Sequence, residues 1–247
     1  MASFGDCLLP DWPAPPWVKA LTTVRGGGSS GHPYDSLNLG SHVGDDPQAV
    51  ARNRAQLRAA FGFPTEPAWL RQVHGTRVVP AAEVGPDTAA DGSFADRPGS
   101  VCAVLTADCL PVLLCDATGT RVAALHAGWR GLAAGIIEHG IEAMGRIPQT
   151  LMAWLGPAIG PTAFEVGPEV MGALAGDDAE ARALFTPGRG DRLFADFYGL
   201  ARLRLRRAGV AAVYGGGLCT VADPGRFYSY RRDGVCGRMA SLIWLEQ

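Results

Sequence analysis

The chain has 247 residues, 47% hydrophobic and 19% charged, a composition that buries a large core and excludes a disordered polypeptide. Its formal net charge of −2 lacks the basic excess of a nucleic-acid-binding protein. No stretch reaches the roughly 18 uninterrupted apolar residues of a membrane helix; the best candidate, residues 101–115, is broken by Asp108 and Pro111.

Residues 1–19 read as an extended entry segment, stiffened by Pro10, Pro13, Pro15 and Pro16. The Gly26-Gly27-Gly28 run that follows lacks the lysine and hydroxyl residue of a phosphate loop and reads as a mobile loop. Asp46-Pro47 predicts a helix start, an acid cap followed by proline at the first helical position. That helix runs to about Phe61 on a stripe of Val50, Leu57 and Phe61. Asn53 falls on the same stripe and reads as a buried structural hydrogen-bonder.

Residues 70–80 alternate weakly and predict a strand containing His74; residues 81–100 read as loop. Residues 101–105 predict a buried strand. Pro111 suggests an edge or a bulge immediately after Cys109. Residues 112–115 and 121–125 predict the two arms of a hairpin turning at 116–120. A helix is expected over 132–146, a strand over 151–155, helical character over 171–186 and a helix over 196–208 whose arginines form a solvated face. Strands are expected at 212–218, 227–231 and 239–245. No repeat or linker divides the chain, and the fold class is α+β in a single domain, 1–247.

Three side chains stand out: His74, Cys109 and His126. A thiolate and two imidazoles suit zinc, and three protein ligands leave a fourth position open for chemistry. The same trio also reads as a thiol nucleophile with histidine bases. The hairpin puts Cys109 and His126 at the same end. Beside them Gly128-Trp129-Arg130-Gly131 leads into a helix, an anion pocket in waiting. The six cysteines follow no regular spacing and the first eleven residues do not resemble a signal peptide. Reduced thiols and a cytoplasmic location are therefore expected.

Several stretches together resemble the laccase-domain family, whose members are also called polyphenol oxidases, peptidoglycan editing factors and broad-specificity purine nucleoside phosphorylases. They are Thr23-Val24-Arg25-Gly26-Gly27, Ser36-Leu37-Asn38-Leu39-Gly40, Gln72-Val73-His74-Gly75 and Ala107-Asp108-Cys109. Further along come His126-Ala127-Gly128-Trp129-Arg130-Gly131, Phe164-Glu165-Val166-Gly167 and Tyr228-Ser229-Tyr230-Arg231-Arg232-Asp233. The resemblance runs from about residue 20 to the end; Val24, where Thr or Ser is expected, departs from it.

The resemblance implies mixed β-sheets in a sandwich flanked by helices, similar to a toxin-type cysteine hydrolase. It also implies a catalytic zinc on His74, Cys109 and His126, with copper possible at the same donors in vitro. The implied activities are phosphorolysis of adenosine, inosine and methylthioadenosine, and adenosine deamination. On that basis phosphate is expected near Arg130 and Arg25, with Asn38, Gln72 and Arg231 on sugar or base and Asp108 or Glu165 as general acid/base. The partners are then small molecules, purine nucleosides and phosphate, with no nucleic acid and no membrane, and a monomer or weak homodimer.

Three rivals remain at this point. One is a metal-free Cys/His hydrolase acting on cell-wall precursors. Another is a copper oxidase, disfavoured because a multicopper site set needs roughly ten histidines and the chain has five. The third is a non-enzymatic binding module.

Overall fold

The structure, a computed structural model, describes residues 7–246. Part of the expected extended entry, residues 1–6, lies outside the described residues. In chain order the elements are β1 (Val18–Thr22), α1 (Pro47–Phe61), β2 (Val78–Pro80), β3 (Gly92–Ala95), β4 (Val101–Thr106), β5 (Leu110–Asp116) and β6 (Val122–Ala127). There follow α2 (Trp129–Ala134), α3 (Ile136–Met144), β7 (Leu151–Leu155), β8 (Glu165–Val166), α4 (Pro168–Ala175), α5 (Ala179–Arg182), β9 (Phe185–Pro187) and β10 (Leu193–Ala195). The chain closes with α6 (Phe197–Arg207), β11 (Ala212–Gly215), α7 (Tyr230–Asp233) and β12 (Met239–Leu245).

Two sheets carry the architecture: one ordered β1-β12-β4, the other β11-β7-β5-β6-β3-β2, with a small β8-β10-β9 sheet beside them. Period-2 alternation makes every central strand two-faced. Leu113 and Cys115 of β5 and Val122 and Ala124 of β6 meet Cys102, Val104, Ile243 and Leu245 of the opposing sheet. Val112 and Leu114, one residue out of phase, pack instead with Ile136, Ile137, Leu200 and Leu203 of the helices. On the far side Ala103, Leu105, Leu242 and Trp244 cover Leu57 and Phe63. The result is four layers, helix–sheet–sheet–helix, in which strands buried on both faces read as unbroken apolar runs.

Local chemistry sets the boundaries. Asp46 accepts the Gln48 N–H at the start of α1, Pro47 occupies its first turn and Gly62 closes it in the left-handed conformation. Asn53 is fully buried. Its oxygen accepts from Ser29, and its amide nitrogen reaches the Ser30 hydroxyl and the carbonyls of Ser36 and Asn38. That carboxamide ties down the glycine-rich loop expected to be mobile.

Several expectations are corrected. His74 lies in a turn with φ +58°, outside any strand, and only Val78–Pro80 forms β2. The segment expected as loop contains β3, which pairs with β6. Pro111 sits inside a central strand, opposite His126. Its absent N–H costs little because pairing with β7 starts one residue later, at Val112 opposite Leu155, and the Pro111 carbonyl still accepts from Gly156 N. The helix expected over 132–146 starts at Trp129 and breaks at Gly135, φ +100°. Residues 171–186 divide among the end of α4, α5 and the start of β9. Residues 227–231 form no strand; Ser229 accepts from Arg232 N and starts the short α7. The α6 arginines are less solvated than expected: Arg202 donates to the carbonyls of Val213 and Gly215, and Arg204 pairs with Glu138.

Candidate metal centre and its flanking cavities

His126 closes β6, buried at 3% exposure, while Cys109 is half-buried on the β4–β5 turn and His74 is exposed. Their ligating atoms all lie within 4.8 Å of one another. Cys109 Sγ is 3.9 Å from His74 Nε2, and the two imidazoles meet edge to face with centroids 4.8 Å apart.

Asp91 at the start of β3 organises this cluster. It is fully buried. One oxygen lies 2.9 Å from His126 Nδ1 and accepts the His74 N–H; the other accepts the N–H groups of Val73 and Gly75. Its backbone carbonyl accepts the His126 N–H. The left-handed backbone at His74 costs about 1–2 kcal/mol for an L-residue, and three hydrogen bonds to a carboxylate offset it. With Nδ1 committed to Asp91, His126 presents Nε2 to the cluster. Asp91 escaped the sequence reading. Its only trace there is an acid between Ala90 and Gly92 in an otherwise weakly patterned segment.

Cys109 is presented by a second strained residue, Asp108, at φ +86°. The Asp108 carboxylate accepts from Thr220 Oγ1 at 2.5 Å and from Arg231 N at 2.6 Å, and its carbonyl accepts from Ile159 N. Two glycines allow the segments to close up. A Cβ on Gly128 would stand 2.7 Å from His74 Cδ2 and 3.2 Å from Cys109 Sγ; one on Gly131 would stand 2.9 Å from the Gly75 carbonyl.

The electrostatics follow. Burial alone would raise the Cys109 thiol, but His126 and His74 outweigh it and bring it down to about 6. Burial alone would lower His126, but Cys109 and Asp91 outweigh that and raise it to about 9. Without metal the pair rests as thiolate and imidazolium. Cys102 and Cys115, buried without such partners, are pushed up to about 12.

The donor set fits a late first-row ion. Zinc bonds of about 2.0 Å to nitrogen and 2.3 Å to sulfur place tetrahedral donors about 3.3–3.7 Å apart. From separations of up to 4.8 Å, the donors need to draw in by no more than about 1.5 Å. Among the described residues this is the group of His, Cys and acidic side chains close enough to share an ion.

Two cavities flank the cluster. On the Cys109 side, about 250 Å³ is lined by Ile159, Phe164, Phe197, Trp129 and Tyr230 together with Asp108, Arg130 and Arg231. Arg130 lies over the Trp129 ring, 4.4 Å from its centroid, and makes no hydrogen bond or ion pair with a described residue. Arg231 is a brace: its guanidinium donates to the carbonyls of Ala163 and Glu165. A second cavity of about 320 Å³ opens beside Gln72 and Leu105.

The remaining candidates are framework in this structure. Asn38 is fully buried, bonded to Gly40, Asp45 and Arg238 N. The Gln72 carboxamide bonds both N–H and C=O of Leu105. Arg25 is held by Asp35 and the Pro224 carbonyl. The Glu165 carboxylate accepts from Arg189 N. The aromatic wall of the first cavity is a feature the sequence reading missed, although Phe164 and Tyr230 lay within quoted motifs.

Comparison with known proteins places this architecture. The chain is 54% identical over 240 residues to purine nucleoside phosphorylase PA4543 of Pseudomonas aeruginosa, covering 97% of this chain and 98% of the relative. It is 52% identical over 239 residues to purine nucleoside phosphorylase YfiH of Escherichia coli K12, covering 96% and 98%. The crystal structure of Neisseria meningitidis protein NMB0706 superposes with a TM-score of 0.95 at 53% identity, covering 98% of this chain and all of that one. YlmD of Geobacillus stearothermophilus matches with a TM-score of 0.84 at 30% identity, covering 95% and 94%. Residues 19–246 match the family model described as multi-copper polyphenol oxidoreductase laccase, and the chain belongs to that family.

Proposed function

We propose that this protein is a zinc-dependent purine nucleoside phosphorylase that cleaves adenosine, inosine and methylthioadenosine to base and ribose-1-phosphate, with adenosine deamination as a further activity. The single observation that carries the reading is the His74–Cys109–His126 cluster opening onto an aromatic-walled cavity. The names of the relatives at 52–54% identity supply the reaction class.

In this mechanism His74, Cys109 and His126 hold zinc, which supplies Lewis-acid polarisation when bound. Phe164, Trp129 and Tyr230 offer ring faces to a purine and exclude water around it. Arg130, stacked on Trp129 but without a hydrogen-bond or ion-pair partner among the described residues, is available to the polar edge of the substrate. Asp91 keeps the proton on His126 Nδ1. Asp108 holds the cavity edge, and its two bound donors keep the carboxylate in an acceptor role.

The test is inosine cleavage by the zinc-loaded protein with and without phosphate, with Cys109→Ala alongside. Phosphate-dependent release of hypoxanthine and ribose-1-phosphate, abolished in the variant, supports the reading. No cleavage by the wild type overturns it.

A second reading rests on the thiol brought down to about 6 beside an imidazolium: a metal-free Cys109 nucleophile hydrolysing a cell-wall precursor. Turnover by fully chelated protein, lost on alkylation of Cys109, would favour it. Multicopper oxidation receives no support from a three-donor cluster in a chain with five histidines.

A further inference from the structure

The second cavity is lined by Ser41, His42, Arg54, Arg71 and Gln72, with Asp87 as its one carboxylate. Leu105 lines it while Ala107, two residues along the same chain segment, lines the aromatic cavity. Two residues of extended chain span about 7 Å, so the walls of the two cavities approach each other along this segment.

The chemistry of the two spaces differs. The Arg71 guanidinium makes no hydrogen bond, ion pair or ring contact with a described residue, although its backbone is pinned to Thr88 and Ala90. Arg54 spends Nε and Nη2 on the Leu39 carbonyl, which leaves Nη1 uncommitted. His42 is held below its ordinary value by burial and then by Arg238, Arg54, His126 and His74, and no carboxylate figures among these influences. Arg54 and Arg71 thus outnumber Asp87 among the charged side chains that line the cavity. Small-molecule sites run about 300–1,000 Å³, so the aromatic cavity of about 250 Å³ does not house a nucleoside and a second reactant together.

We propose that the cavity around Arg71, His42 and Ser41 is the subsite for inorganic phosphate, neighbouring the aromatic cavity that takes the purine. The proposal rests on the phosphorylase reading and deepens it. In the reaction a phosphate oxygen bonds to the anomeric carbon as the glycosidic C–N bond breaks. The bonding pair leaves with the base nitrogen, which takes up the proton carried in by the phosphate monoanion. Base and phosphate must reach the ribose from different sides, and two neighbouring cavities offer a separate place for each. Arg71 supplies the fork that a phosphate recognises, and Gln72, bonded to Leu105, fixes the wall beside it.

The experiment separates the two co-substrates. Zinc-loaded wild type, Arg71→Ala and Phe164→Ala are assayed for KM of phosphate and of inosine, and direct binding of inorganic phosphate without nucleoside is measured by calorimetry. Arg71→Ala is expected to raise the phosphate KM about tenfold or more while leaving the inosine KM unchanged. Phe164→Ala is expected to do the reverse, and Arg71→Lys to recover part of the loss. Wild-type protein that binds phosphate but performs no phosphorolysis, with binding lost in Arg71→Ala, would overturn the activity and uphold the subsite. Active Arg71→Ala with an unaltered phosphate KM would overturn the subsite and leave the activity standing.

Discussion

Asp91 Oδ1 lies 2.9 Å from His126 Nδ1 and also 2.9 Å from the His74 backbone nitrogen, so one buried oxygen sets both imidazoles of the cluster. Replacing Asp91 with Asn sets an amide N–H against these donors. Zinc affinity should fall about 10–100-fold, read by competition with a chromophoric chelator. Asp91→Ala leaves several buried donors unpaired at about 1–3 kcal/mol each and should lower the urea midpoint clearly. Burial alone would raise Asp91, but His126, Gly75 and Val73 outweigh it and hold it below its ordinary value. A depressed carboxylate contributes stability above its unfolded value of about 3.9, and that contribution fades as pH falls through the lower folded value. Wild type and Asp91→Asn should therefore converge in stability in acid.

In metal-free protein, Cys109 should alkylate with a midpoint near pH 6, faster above it and slower below, because the reactive form is the thiolate. Cys102 and Cys115, pushed up to about 12, should remain silent at neutral pH. Mass-spectrometric mapping of iodoacetamide adducts from pH 5 to about 8 checks this, and added zinc should protect Cys109. A midpoint for Cys109 in the ordinary thiol range would contradict the thiolate–imidazolium pair.

Gly128→Ala should weaken metal binding more than it weakens the fold. The new methyl would stand 2.7 Å from His74 Cδ2 and 3.2 Å from Cys109 Sγ, closer than carbon and sulfur tolerate, and the exposed His74 is the part able to move. Zinc stoichiometry after gel filtration, beside an unchanged circular-dichroism spectrum, is the expected result.

Asn53→Ala should cost roughly 3 kcal/mol in urea unfolding. It removes a hydrogen-bond partner from Ser29 N–H, the buried Ser30 hydroxyl and the Asn38 carbonyl, while the Ser36 carbonyl keeps only the Ser30 N–H. Asn53→Asp should do no better, because two of those partners are carbonyl oxygens.

Much of this was legible in the sequence where the deciding interaction is local. Asp46 and Pro47 announce α1 because a cap bonds two residues away, and Asp196 does the same for α6. The apolar run of β5 is a property of the strand itself. The three donors, and the hairpin end shared by Cys109 and His126, were also visible. What escaped depends on contacts between distant segments. The His74 turn exists because Asp91, 16 to 18 residues away, accepts its amides. Pro111 is tolerated centrally because β7 begins its pairing one residue later. Ser229 caps only the four-residue α7, too short for a periodic pattern to mark. The two cavities are lined from many separate segments, and no single stretch of sequence contains either.

The backbone of Gly131 passes close under the Gly75 carbonyl, and with Asp91 it makes the donor cradle out of the polypeptide framework. Such a cradle exists before any ion arrives. Chelation should therefore leave a folded protein with an unchanged melting cooperativity, unlike a zinc finger, in which ion and fold come and go together. It also hands the choice of ion to supply. A ready-made nitrogen–sulfur set binds the late divalent metals in their common order of strength, with copper above zinc. The occupant in a given preparation then records the ion pools of the cell that made it.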